Sequence, residues 1–438
     1  MTQLKPVNTM MYKLITYITT FLRSAFCSGR VALGLMGLVA SLLFVMGFAN
    51  PKYSQQHFVS QSGKWVGTWS TAPQLVEPHN MPPEPGLSNN ILRQIVRVSL
   101  GGDSLRIRFS NEFSAGPTTI QEVQIATSEG NGAIDASTTK NVEFNGRAQV
   151  MIDGGKAITS DPIAFPLEDR EDLAITIHFG TVPDDLTGHP GSRTTSYIFE
   201  GDKTAVQGPS EAKKTDHWYI ISGMQVKAPE SAAAVAIIGN SITDGRGSGT
   251  NEQNRWPDIL SERLLHNPET QNVAVLNQGI GGNAVLRGGL GPTALDRFDR
   301  DILDQKGVRW AIVMEGVNDL GATKDSATAF QVAKNLIAAY NTMIDKAHDR
   351  NIKIYGGTIT PIKESFYYKD FRESARQYVN KWIRNSGRFD AVIDFDKAIR
   401  NPEDTLVILP KAHSGDYLHP NELGYKIMGE AVDLSLFE

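Results

Sequence analysis

Two textures of hydrophobic patterning divide the chain. Between residues 65 and 226, apolar and polar side chains alternate over short runs, as in Ile91-Leu92-Arg93-Gln94-Ile95-Val96-Arg97-Val98 and Leu105-Arg106-Ile107-Arg108-Phe109. A period of two marks a strand with one face buried and the other in water. Similar runs at 119–126, 149–152, 173–179 and 218–226 are separated by Gly, Pro and Asp turns. Short strands at such intervals predict an antiparallel sandwich or jelly roll over residues 61–227. Ala228-Pro229-Glu230 reads as a linker, and beyond it the pattern changes. Residues 232–238 are apolar throughout, as befits a strand buried on both faces, and further strands near Val273, Ile312, Ile354 and Val392 are interleaved with helices at 256–266 and 327–350. That alternation predicts a parallel sheet with helices on both faces over residues 232–438. No internal repeat or low-complexity tract interrupts either part.

The chemistry gathers at the strand ends of the second part. Gly239-Asn240-Ser241-Ile242-Thr243-Asp244-Gly245 directly follows the first apolar strand and places a serine at the carboxyl edge of the sheet, where open α/β sheets bind ligands. A serine needs a base, a group to orient that base, and donors for a developing oxyanion. Asp416-Tyr417-Leu418-His419-Pro420 offers the first two, with Asp416 spaced to hold one ring nitrogen while the other faces Ser241. Pro420 suits the first position of a closing helix over 420–432. Gly279-Ile280-Gly281-Gly282-Asn283 follows the second strand, where glycine permits close approach of a backbone N–H, and Gly316-Val317-Asn318-Asp319 follows the third, offering the Asn318 amide.

In order, the four blocks Gly-Asn-Ser-Ile, Ile-Gly-Gly-Asn, Gly-Val-Asn-Asp and Asp-Tyr-Leu-His-Pro resemble those of the SGNH hydrolases, the GDSL esterase family. The resemblance covers about residues 232–438. It implies a flavodoxin-like three-layer α/β/α sandwich, Ser241 as nucleophile and first oxyanion N–H, Gly282 and Asn318 as the other donors, and His419 as base oriented by Asp416. Gly281 is the alternative to Gly282, because a one-residue shift in the turn exchanges their roles. The family usually carries aspartate where this chain has Asn240. That exchange keeps the size and drops a charge, so it predicts an electrostatic or structural change rather than loss of activity. Trp65-Val66-Gly67-Thr68-Trp69 with Ser70-Thr71-Ala72-Pro73 resembles, more weakly, the opening of two-domain exported members similar to xylan acetylesterases.

Each residue also has a plainer reading. Gly-Asn-Ser favours any turn. His413 is a rival base without an aspartate at the same offset. Asn318 and Asp319 suit local capping, Arg255 and Trp256 suit helix packing, and the paired tryptophans Trp65 and Trp69 suit a core.

The chain has 438 residues and a formal charge of −5, and its first 49 residues hold four basic and no acidic side chains, so the remainder carries −9. Such a balance argues against nucleic acid as a partner. Residues 31–48 form an uncharged apolar run behind Lys5, Lys13, Arg23 and Arg30, and Gly47-Phe48-Ala49 offers small residues for a signal peptidase. Residues 1–49 are therefore expected to be a signal peptide or an uncleaved membrane anchor, with an exported body that is secreted or periplasmic. The single cysteine, Cys27, lies in this segment. No Cys pair, His-Glu-x-x-His or Gly-x-x-x-x-Gly-Lys occurs, so neither a metal nor a nucleotide is expected and no cofactor is implied.

These readings lead to an exported serine esterase that removes short acyl groups, foremost acetyl, from carbohydrate. Its partner would be a small-molecule or polysaccharide ester. A broad short-chain esterase or lipase is the alternative, with the loops 286–293 and 363–370 shaping the pocket. A carbohydrate-binding protein with an inert esterase domain is the alternative of another class.

Overall fold

The computed structural model describes residues 63–201, 212–289 and 291–438; the expected leader at 1–49, with Cys27, lies outside the described residues. Five strands, β1 (Ala233–Gly239), β2 (Val273–Gly279), β3 (Val308–Met314), β4 (Lys353–Gly357) and β5 (Ala391–Ile393), form one sheet in the order β2-β1-β3-β4-β5. Every neighbouring pair is parallel, and Gly239 stands in register with Gly279 on one side and Met314 on the other. This is the doubly wound order with its topological switch beside β1.

Strand alternation sorts the buried side chains onto two faces. Ala234, Ala236 and Ile238 of β1 join one core, and Ala233, Val235 and Ile237 join another. The connections carry α1 (Ser241–Asp244), α2 (Trp256–Leu265), α3 (Ala294–Phe298), α4 (Val317–Gly321), α5 (Ser326–Asp349), α6 (Asp370–Asn385), α7 (Phe395–Ile399) and α8 (Glu422–Glu430). Trp256 and Leu260 of α2, Phe395 of α7 and Tyr425 of α8 cover one face. On the other face lie Ala333 and Leu336 of α5 and Val379 of α6. Thus the α/β part has the parallel sheet with helices on both faces that the periodicity predicts, the three layers that the resemblance implies. The helices expected at 256–266 and 327–350 are present with ends moved by one residue.

The closing helix differs. It begins at Glu422, with Asn421 as N-cap accepting from the Gly424 N–H, rather than at Pro420. Pro420 instead forms a β-bridge opposite His413. An asparagine cap satisfies an otherwise unpaired amide, which proline at the first position only tolerates.

Among the described residues before β1, the strands form five-, eight- and three-stranded sheets, and the pairs within them are antiparallel. The alternating runs become strands Ile91–Arg97, Gly102–Asn111, Thr118–Gly130 and Asp172–Phe179. The run expected at 218–226 is broken in two, because Ile220 takes a left-handed φ of 66° and its N–H turns to Thr187 O at 3.1 Å. Val66, Ile107, Val123 and Ile175 from these sheets share a core with Ala236 and Leu276 of the parallel sheet. The β region also covers the outer edge of β2, whose unpaired backbone groups meet Ser99 Oγ (from Val275 N, 3.0 Å) and Ser70 Oγ (to Asn277 O, 3.4 Å). No helix among the described residues is long and apolar enough to cross a membrane.

One buried side chain ties the strand ends together. The Arg297 guanidinium, fully enclosed, donates to Gln278 O (2.6 Å), Gly239 O (3.1 Å), Asn283 Oδ1 (3.0 and 2.8 Å) and Asp301 Oδ2 (3.0 Å). All five of its N–H donors are used. Arg297→Met would take the guanidinium donors from Gln278 O and Asn283 Oδ1 in the interior and leave Asp301 to Arg300 and Gly239 O to the Ile280 N–H. It is expected to cost about 3–5 kcal/mol of stability, measured by denaturant unfolding; a cost under ~1 kcal/mol would refute the tie.

Candidate active site

Ser241 opens α1 at the end of β1. The preceding Asn240 is extended (φ −95°, ψ −156°) and caps the turn, its Oδ1 accepting from the Ile242 N–H at 3.0 Å and its backbone carbonyl accepting from Thr243 and Asp244. Because the cap serves later amides, the Ser241 N–H keeps no acceptor among the described residues. Ser241 is 7% exposed and His419 3%. Ser241 Oγ lies 2.8 Å from His419 Nε2, and His419 Nδ1 lies 2.6 Å from Asp416 Oδ2. A carboxylate only accepts, so Nδ1 carries the proton, and the Nε2 lone pair faces the serine hydroxyl. Asp416 is braced in turn, its Oδ1 accepting from the N–H groups of Leu418 (3.0 Å) and His419 (2.9 Å).

The proposed oxyanion parts come from the next two strand ends. Ile280 to Asn283 form a tight turn, closed by Asn283 N to Ile280 O at 3.2 Å, in which Gly282 takes φ 69°. That left-handed position explains glycine at 282. Its N–H has no acceptor among the described residues. Asn318 Nδ2 donates to Asn283 O at 2.7 Å, which locks the third strand end to the Gly282 turn, and the second amide proton stays available. Asp319 fastens the following loop, accepting from Val285 and Leu286 N–H groups, both at 2.9 Å.

Several contributors carry no sequence signal. Tyr367, within the loop 363–370, donates to Asn318 Oδ1 at 2.8 Å and so fixes which way that amide points. Glu315 sits fully buried behind Asn240, whose Nδ2 donates to its Oε2 at 3.3 Å. Burial pushes the Glu315 carboxyl up to about 8, against the pull of Arg297. With the family's aspartate at position 240, a second carboxylate would face it. Asparagine offers Glu315 a hydrogen-bond donor without adding a second charge that burial would penalise. His189 and Arg193, from the β region, reach Asp244 of α1.

The rival residues find other work. His413 stacks on Tyr417 with ring centroids 4.1 Å apart, and its Nδ1 accepts from the Gly415 N–H. Arg255 is the N-cap of α2, paired with Asp258 at 2.7 Å, and Trp256 packs against Phe395. Trp69 stands edge-on to Trp218 at 5.0 Å within the core, and Arg106 lies over the Trp65 ring. Among the described residues no cluster of His, Cys, Asp and Glu is arranged to hold a metal ion.

The profile of the GDSL-like Lipase/Acylhydrolase family matches residues 237–427. No curated protein matches the chain. Among solved structures, a putative lipolytic protein of the G-D-S-L family from Desulfitobacterium hafniense is 21% identical with a TM-score of 0.36, spanning 45% of this chain and 97% of its own. A catalytic mutant of an acetylxylan esterase from Geobacillus stearothermophilus is 22% identical with a TM-score of 0.36, over 46% and 92%. A GDSL-like lipase from Bacteroides thetaiotaomicron is 19% identical with a TM-score of 0.33, over 45% and 84%.

Electrostatics sets the pH at which the histidine can take a proton. Burial lowers the His419 pKa below its ordinary value, Asp416 works in the opposite direction, and the charges of Arg246 and Arg193 lower it again. Burial raises Asp416, but the His419 ring and the two backbone N–H groups outweigh it and hold the carboxyl down to about 2. The dyad therefore stays in its carboxylate–imidazole form at neutral pH. If His419 serves as the base for Ser241, attack on p-nitrophenyl acetate requires the neutral ring, so the rate is expected to rise with pH through a midpoint below 6.5 and then level off. Arg246→Gln removes a charge that disfavours imidazolium, so it should move that midpoint upward. A downward movement in the kcat/KM profile would contradict this account.

Proposed function

Through residues 237–427 the chain belongs to the GDSL-like lipase/acylhydrolase family, the SGNH hydrolases, and is a carboxylic ester hydrolase; on that premise we propose that Ser241, His419 and Asp416 perform the hydrolysis. The observation that carries the assignment is the unbroken hydrogen-bonded chain Ser241 Oγ–His419–Asp416, at 2.8 and 2.6 Å. His419 Nε2 takes the hydroxyl proton as Oγ bonds to the ester carbon. The N–H groups of Ser241 and Gly282 and the Asn318 amide receive the oxyanion. His419 then protonates the departing alkoxide, leaving an acyl-enzyme. Water attacks with His419 again as base, and the carboxylic acid product and free Ser241 are released. Each oxyanion donor in such a site is worth about 10²–10³ in kcat.

We infer the substrate to be a short acyl ester, foremost acetyl, of a carbohydrate. Two features support a small acyl group and a polar alcohol: the depth of Ser241 and His419, and the guanidinium charges of Arg193 and Arg246 beside the catalytic ring. In this reading the β-sandwich preceding β1 walls the alcohol side. Phe366 favours the second reading, a broad esterase or lipase. It is 65% exposed, with its ring 4.5 Å from that of Tyr367, which holds Asn318.

Ser241→Ala is expected to abolish hydrolysis while the protein stays folded. Acetate release from acetylated xylan, measured beside p-nitrophenyl esters of increasing length, separates the two substrate readings. Serine-dependent release from the polymer supports the first. Activity confined to small esters and rising with acyl length supports the second, and hydrolysis retained by Ser241→Ala rejects both. Export is proposed from the apolar run at 31–48 behind its basic flank. N-terminal sequencing of the mature protein is expected to begin after residue 49, and an intact leader on soluble cytoplasmic protein would reject export.

A further inference from the structure

The nucleophile stands on a helix that cannot hold itself. α1 is four residues long, a single turn. Forming one turn fixes more dihedrals than its hydrogen bonds repay, so such a helix persists only where its surroundings grip it. Asn240 grips the N-terminal end. The C-terminal end, Asp244, is gripped by the segment 187–195 of the β region, whose His189 lies 55 residues upstream.

His189 ends the strand Thr187–His189 and spans the gap with both ring nitrogens engaged. Nδ1 lies 3.0 Å from Ala72 O, and Nε2 lies 2.9 Å from Asp244 Oδ1. A carbonyl only accepts, so Nδ1 donates there, and the proton in the Nε2–Oδ1 bond completes a bridge from β region to nucleophile turn. His189 and Asp244 are 3% and 2% exposed, so the bond is made away from bulk solvent. The same segment is stitched to the chain after α1. Arg193 O accepts from Asn251 N at 2.9 Å, Thr195 N donates to Asn251 Oδ1 at 2.8 Å, and Gln253 Nε2 donates to Thr194 Oγ1 at 2.8 Å. Arg193 Nη2 stands 3.6 Å from Asp244 Oδ2.

We propose that segment 187–195 is a positioning part of the catalytic site, with His189 acting on Ser241 through Asp244; the proposal rests on the assignment of Ser241 as nucleophile. His189 is a positioning residue, because it touches neither the serine nor its base. Its loss frees the turn to shift Ser241 against His419 and the oxyanion donors. Misplacement of about 1 Å costs on the order of 10²-fold in rate. Of this segment only Arg193 is read as facing the substrate, and His189 is not, so the loss of His189 should fall on kcat and leave KM in place.

Two independent perturbations test this. His189→Ala removes the bridge. Gly191→Ala leaves His189 intact, but a Cβ there would lie 2.1 Å from Asp244 Oδ2 and force the carboxylate aside. Kinetics with p-nitrophenyl acetate, with circular dichroism to establish folding, should show kcat lowered by about 10²-fold in both and KM changed by no more than about twofold. His189→Gln, whose amide can still donate to Asp244, should recover most of the rate. A folded His189→Ala or Gly191→Ala within about threefold of wild-type kcat overturns the proposal, and so does a loss confined to KM or a glutamine variant no better than alanine. If His189→Ala does not fold, Gly191→Ala decides alone. Ser241→Ala separates the two levels: if it retains hydrolysis, the nucleophile assignment has failed and this proposal with it, whereas an inactive Ser241→Ala beside fully active His189→Ala and Gly191→Ala defeats only the positioning role.

Discussion

A parallel sheet ends in carbonyls that its own ladder cannot use, and this protein resolves that constraint at its catalytic edge with one buried guanidinium. Arg297 donates to Gly239 O of β1, to Gln278 O of β2 and to the Asn283 side chain in the turn that carries Gly282. Those three segments lead directly into the proposed nucleophile, the second strand end and the proposed oxyanion turn. Asn318, bonded to Asn283 O, brings in the third. The relative placement of the groups around Ser241 therefore depends on a single planar fork whose geometry matches carbonyl and carboxylate acceptors.

The charge pattern around that fork is asymmetric. In front, Asp416 is ionised and its partner His419 is neutral, the pairing needed to accept a proton from serine. Behind, burial raises the pKa of Glu315, and Asn240 supplies it with a donor rather than another carboxylate. Asn240 thus has three tasks at once. Its side-chain oxygen caps α1, its amide serves Glu315, and its backbone carbonyl accepts the amides that follow Ser241. The departure from the usual family residue is consistent with a neighbourhood that already holds Glu315, Asp319 and Asp301.

The β region is joined to the α/β part by more than apolar contact. Ser99 and Ser70 occupy backbone groups along the open edge of β2, Val66 and Leu276 share one core, and His189 reaches α1. A lone α/β sheet would present β2 as an exposed edge. Here that edge is spent within the chain.

What the sequence determined by itself was periodic or local. An unbroken apolar run must be buried on both faces, so the strands of the parallel sheet were readable, as were the turn residues that end them and the three-residue spacing of Asp416 and His419. Local chemistry also misled at two places. Pro420 looked like a helix start until Asn421 offered a better cap, and the run at 218–226 continued past Ile220 until a tertiary bond to Thr187 turned it. Only the tertiary structure decided that Arg297, Glu315, Tyr367 and His189 surround the site. Each acts through side-chain contacts that reach beyond its own stretch of chain, and isolated buried contacts impose no period on their neighbours. Nothing in the order of residues distinguishes His189 from a surface histidine. Its meaning arises only when folding sets an accepting carbonyl on one side of its ring and Asp244 on the other.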